Sequence, residues 1–328
     1  AEPPAARVLF QGKNNRFIHC QGRIHTGVLR HVSQVVRLCL VKMNGPAAAQ
    51  MPRDAAEKRG FTGGIRPDQC GQRATLEAGG DITDGLSGEG PGNENFRGSE
   101  VVVRAGGNIG SSAEDLDIDS DRLAATGNNV YLKEVRGDMN LAELTLEEGG
   151  DTVAGVIAAD EVALKADDGT IDTALRIQAG NKLSLQTRDT LVLESPLATN
   201  LDGKVSVEVR QGGIESRNTD TDIETGSAVL KASEDIGSSE SPIRTSVDML
   251  AVQSTNGSVN IAESNGLKLK PGELANGETV EGGLAGQDFN LTVQNGDLEL
   301  ANITAGNNVN LSVPQGDVVD CNDEGSNI

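Results

Sequence analysis

The sequence predicts an all-β fold, a parallel β-helix with coils of roughly 20–22 residues behind a basic N-terminal head. Three observations predict it. A short strand-like sentence returns at a nearly constant interval. Within each sentence apolar and polar residues alternate. The composition suits a narrow interior of small aliphatic side chains.

The interval is clearest near the C-terminus, where Phe289, Asn290, Leu291, Thr292 and Val293 fall on Val309, Asn310, Leu311, Ser312 and Val313 after a shift of 20. Upstream, the middle apolar residues Leu164, Leu185, Val207, Leu230, Val252, Leu291 and Leu311 follow one another at steps of 21, 22, 23, 22, 39 and 20. The 39 reads as two periods. A longer echo joins residues 102–123 to 229–250 at an offset of 127, with Ala105, Ile109, Gly110, Ser111, Ser112, Asp121 and Leu123 recurring identically.

Alternation supplies the strands. In Leu183-Ser184-Leu185-Gln186 the leucines point one way and the polar residues the other, the signature of a strand with one buried face. Gly-Asp, Gly-Asn, Asn-Gly and Asp-Gly steps follow, which is turn chemistry. After residue 74 no segment keeps helical spacing over ten residues. Leucine-rich repeats share the period, but their LxxLxLxxN sentence is missing. Stacked coils remain, each bonded to the next about 4.8 Å away, with room for roughly twelve of them.

Composition agrees. The 328 residues include 41 Gly, five Phe, one Tyr and no Trp, so the core must be Val, Leu, Ile and Ala, with Asn and Ser laddered at the corners. Residues 1–73 hold 12 Lys and Arg against four acids, a net +8, and the body 74–328 holds 16 against 45, a net −29. The chain therefore divides into a basic head, 1–73, and an acidic β-helix, 74–328, with corner insertions near 85–98 and 270–287. Such insertions are where stacked repeats place specific contacts.

In the head, Val28, Leu29, Val32, Val35, Val36, Cys39 and Leu40 follow i, i+3/i+4 spacing, which reads as an amphipathic helix over 27–41 capping the first coil; membrane-surface binding and an inter-subunit strand are the alternatives. The run 27–41 is too short and too charged to span a bilayer. The last coil has no legible closing element, which leaves an unpaired sheet edge.

The motifs GGNIGSSAEDLDID (106–119), EDIGSSESPIRTS (234–246), AGGDI (78–82) and QNGDLELANITAGNNVNLSV (294–313) resemble the repeats of filamentous-haemagglutinin-like bacterial surface proteins. The resemblance covers residues 74–328. It implies a right-handed β-helix within a secreted or surface-displayed adhesin or fibre protein. The head does not resemble the secretion domain which that family carries at its N-terminus.

Chemistry is sparse. Sugar-cleaving sites need paired carboxylates and aromatic platforms. Carboxylates abound, but Phe96, Tyr131 and Phe289 are the aromatics of the whole body, and all three histidines lie in the head. A polysaccharide-degrading enzyme is therefore the least favoured reading, and no catalytic residue is assigned. Asp115, Asp117, Asp119 and Asp121 alternate with Leu116 and Ile118, so the four carboxylates are candidate calcium ligands against the plainer reading of a solvated acidic face. No other cofactor is implied. Cys20, Cys39 and Cys70 in the head and Cys321 near the other end are candidates for bonds between subunits; no CxxC pair suggests zinc. The acidic body has the wrong sign for nucleic acid.

Two functions are expected. The first is a non-enzymatic extracellular structural protein, a rod whose partner is itself, joined head to tail into a fibre. The second is a fragment of a large secreted adhesin that binds host or neighbour-cell ligands through its corner loops.

Overall fold

The computed structural model describes residues 7–11, 17–21, 36–40, 73–85, 94–146 and 150–321. All regular structure among them is strand, most of it parallel. The chain divides into two compact units, Ala1–Ala159 and Asp160–Ile328.

In the second unit each strand lies beside the one written a step later. Glu161–Ala166 pairs with Lys182–Thr187, which pairs with Lys204–Val209, then with Ser227–Ala232 and Met249–Ser254, so the register follows the sequence period from pair to pair. This register stacks Leu164, Leu185, Val207, Leu230 and Val252 in one row, each 1% exposed or less. A second row holds Ile214, Ile236, Val259 and Phe289, all wholly buried. The long strand Ile243–Ser254 pairs with Val259–Glu263 through one end and with Gly283–Ala285 through the other, so the pairings close on themselves.

The expected single column of seven is corrected here. Val252 stands opposite Gly283, while Leu291 stands opposite Ile261 and Leu311 opposite Leu291. The step from Val252 to Gly283 is thus one long period carrying an excursion, and the expected pair of ordinary periods is not there. At Gly283 the row loses its side chain because the Phe289 ring fills the space; a Cβ there would lie 2.9 Å from the ring.

The first unit uses the same grammar. Arg73–Ala78 pairs with Glu100–Ala105 across a long step, and Glu100–Arg104 pairs with Arg122–Thr126 across an ordinary one. The longer step spans the insertion expected near 85–98, whose residues 86–93 lie outside the described residues. The echo between 102–123 and 229–250 is structural as well. Gly110 and Gly237 both sit at φ +66°, where a Cβ would meet the carbonyl oxygen of Tyr131 or Asn260 at 2.5 Å. In the turns that follow, the Ser111 and Ser238 amides donate to Glu114 O and Ser241 O.

Each unit also wears a hairpin on the outer side of its sheet. Glu143–Thr145 and Thr152–Ala154 set Leu144, Leu146 and Val153 against Val102 and Ala124. Gly272–Glu273 and Thr279–Val280 set Leu274 and Val280 against Val229 and Ala251, which lie at the same offset of 127 from Val102 and Ala124. Asn276 donates to Glu208 Oε2 at 3.1 Å and the Ala275 amide to Ser206 Oγ at 3.2 Å. The insertion expected to reach out for specific contacts thus folds back, because it carries apolar residues of its own that need covering.

Of the segment 27–41, expected as a helix, only 36–40 lie among the described residues, and there the structure differs. Val36–Leu40 is a strand, antiparallel to Arg73–Ala78, and it takes up the edge of the first layer. Its Val-Arg-Leu-Cys-Leu alternation outweighs the helical spacing. Arg7–Gln11 and Phe17–Gln21 form an antiparallel hairpin.

Candidate functional site

The aspartate row does not gather around one point. Asp121 is exposed, Asp115 and Asp119 half-buried, and Asp117 wholly buried. Asp119 is held by Arg97 Nε at 3.2 Å and Arg136 Nη1 at 2.7 Å, and Asp117 lies 3.9 Å from Lys133 Nζ. Stacking brings these cations from neighbouring layers, so arginine and lysine occupy the place assigned to calcium. Among the described residues no group of three or more His, Cys, Asp or Glu could hold a metal ion.

Of the four cysteines, Cys321 is exposed, with a free thiol. Cys20 and Cys39 fall on the strands Phe17–Gln21 and Val36–Leu40. Cys70 lies outside the described residues.

Sequence reasoning misses the buried carboxylates. Glu134 and Glu263 close two matching sentences, Val130-Tyr131-Leu132-Lys133-Glu134 and Val259-Asn260-Ile261-Ala262-Glu263, and both are wholly buried. The alternation itself places each glutamate on the face of the preceding Val and Leu or Ile. Glu134 accepts the Ser120 amide at 3.2 Å and the Ser120 hydroxyl at 3.1 Å. Glu263 accepts the Thr245 hydroxyl at 2.7 Å, the Ser264 amide at 2.8 Å and the Val247 amide at 3.3 Å. Ser120 and Val247 are again counterparts in the echo. Asp222, also wholly buried, accepts the Arg244 amide at 2.7 Å and the Ser216 hydroxyl at 2.8 Å.

Burial pushes the Glu134 carboxyl up to about 8, against the hydrogen bonds from Ser120 that pull it down. Burial raises Glu263 and Asp222 as well, opposed by their own hydrogen-bond donors. Each carboxylate spends its oxygens on bends of its own chain, so its geometry is that of a corner clasp.

Of the three aromatics of the body, Phe96 is 4% exposed, Phe289 is wholly buried and Tyr131 is half-buried.

Burial falls in the last described layer. The strands Val309–Ser312 and Val318–Asp320 continue the register of Phe289–Val293 and Leu298–Leu300. In the earlier layer Phe289, Leu291, Val293 and Leu298 are all 2% exposed or less. In the later layer Val309 and Leu311 are half-exposed, and Val318 and Val319 are 53% and 42% exposed. Asparagines link successive layers: Asn290 donates to Asn260 Oδ1 at 3.0 Å, and Asn310 to Asn290 Oδ1 at 2.8 Å.

Compared with family models, with curated proteins and with solved structures, the chain matches none.

Proposed function

We propose that the chain is a non-enzymatic structural protein: a right-handed parallel β-helix that works outside the cell or on its surface and joins other copies head to tail into a fibre. The observation that carries the reading is the ladder of parallel pairings at a near-constant period. Stacked repeats extend by adding another layer on the same register. The motif resemblance to filamentous-haemagglutinin-like proteins and the opposite charges of the head and body segments support it.

The reading as a ligand-binding adhesin fragment is less favoured, because the hairpin within the 270–287 insertion lies against the sheet with Leu274 3% exposed and Val280 wholly buried. Negative-stain microscopy of the purified chain tests the function. Uniform filaments many times longer than one chain are expected; particles of single-chain length only would refute it.

A further inference from the structure

We propose that Lys133 and Asp117 are a modification site at which the chain modifies itself: their side chains condense into an amide, an isopeptide bond that ties neighbouring layers together covalently. The inference is independent of whether copies assemble.

The stack holds the two reacting groups in place. Asp117 stands between Leu116 and Ile118, and Lys133 between Leu132 and Glu134, all four flanking residues wholly buried. The main chain at Asp117 is fixed at both ends: its amide donates to Asn95 Oδ1 at 2.6 Å, and its carbonyl accepts the Asn95 amide at 2.9 Å. The Val135 amide donates to Ile118 O at 2.9 Å, which sets the two strands side by side. Lys133 Nζ then lies 3.9 Å from Asp117 Oδ1, a small side-chain adjustment from the separation of about 3–3.5 Å at which held groups react.

Burial and partner type separate this pair from its neighbours. The Asp117 side chain is 0% exposed and that of Lys133 21%. In Lys268–Glu299 both side chains are open to water, at 50% and 39%, and in Lys231–Glu278 the carboxylate is 45% exposed. Asp119, two residues beyond Asp117 on the same face, is held by Arg97 and Arg136, whose guanidinium groups keep their protons and are no nucleophiles. A lysine amine is one once deprotonated. Away from water an ion pair loses much of its advantage over the neutral amine and acid. The pair itself contains every atom required. A proton passes from Lys133 Nζ to the Asp117 carboxylate, and the freed lone pair attacks Cγ. The C–N bond forms, one C–O bond breaks, and that oxygen leaves as water with the proton it received and a second from Nζ. Nothing is oxidised or reduced.

Intact-mass spectrometry of the full-length folded chain, denatured only for the measurement, reads the bond directly. After prolonged incubation the wild type is expected about 18 Da below the mass of its sequence, the loss of one water. Digestion should yield a branched peptide joining Lys133 to Asp117. Lys133→Arg, which keeps the charge and is checked for fold by circular dichroism, should have its full sequence mass. A folded wild type at full sequence mass overturns the proposal, and this outcome needs no variant. A mass deficit that persists in Lys133→Arg also overturns it, since a succinimide at another aspartate would then account for the lost water.

Discussion

Glu263 accepts the hydroxyl of Thr245 at 2.7 Å inside a row whose other members are Ile177, Leu197, Ile223 and Val293. A carboxylate in an apolar ladder is tolerated only when its oxygens are occupied. Here the amides of Val247, Ser264 and Asn265 share them with the hydroxyl. Glu263→Ala strands all of these donors and is expected to lower the unfolding free energy by about 3–5 kcal/mol. Glu263→Gln keeps a carbonyl acceptor and should cost about 1 kcal/mol. Urea denaturation of both variants measures the difference.

The pH dependence follows from Glu134. Its folded pKa of about 8 lies above the ordinary glutamate value of 4.5, so the folded state binds the proton more tightly. That contribution is complete below 4.5 and is lost as pH rises through about 8. The expected fall is on the order of 4–5 kcal/mol, with Glu263 and Asp222 adding in the same direction. Thermal melts from weakly acid to mildly alkaline pH should therefore drop for the wild type. In Glu134→Gln the slope should flatten. A wild type that gains stability across this range would contradict the assignment.

Phe289 and Gly283 share one space. Phe289→Ala opens a cavity in the stack and is expected to cost about 3–5 kcal/mol. Gly283→Val drives a side chain into the ring, 2.9 Å from where its Cβ would sit, and should cost about 1–3 kcal/mol. Combined as Gly283→Val/Phe289→Ala, the two changes should cost less than their sum. A double-mutant cycle by chemical denaturation measures the coupling, and strict additivity would show that the two sites are independent.

Calcium should have little effect. Asp119 lies between Arg97 and Arg136, so Asp119→Asn removes a partly exposed ion pair and is expected to cost about 1 kcal/mol or less. Millimolar calcium should shift the melting temperature no more than an equal ionic strength of sodium chloride. A saturable, calcium-specific rise that Asp119→Asn abolishes would restore the aspartate row as a metal site.

The strands are legible in the sequence because alternation is local. Each of Leu164, Leu185, Val207, Leu230 and Val252 sits mid-strand in the row expected for it. Leu291 and Leu311 belong to a different row, because one period holds more than one apolar strand and spacing alone does not say which side of the layer a strand occupies. Glu134 and Glu263 are readable in principle from the parity of VYLKE and VNIAE. Charge suggests an outward residue, and parity decides the matter. The partners of Asp119, Arg97 upstream and Arg136 downstream, come from other layers, and no local pattern announces them. Val36–Leu40 satisfies both a helical and a strand spacing over so short a span that only its pairing with Arg73–Ala78 decides.

The excursion between Leu269 and Gly283 leaves its layer and comes back without disturbing the neighbours above or below. Vertical partners are matched by height, not by the length of thread between them. Extra sequence entering near Asn276 and Gly277, where the thread is already outside, adds embroidery to the flank and leaves the weave intact. The protein can therefore acquire new surface at that point while keeping its girth, and ornament and framework are free to change at different rates.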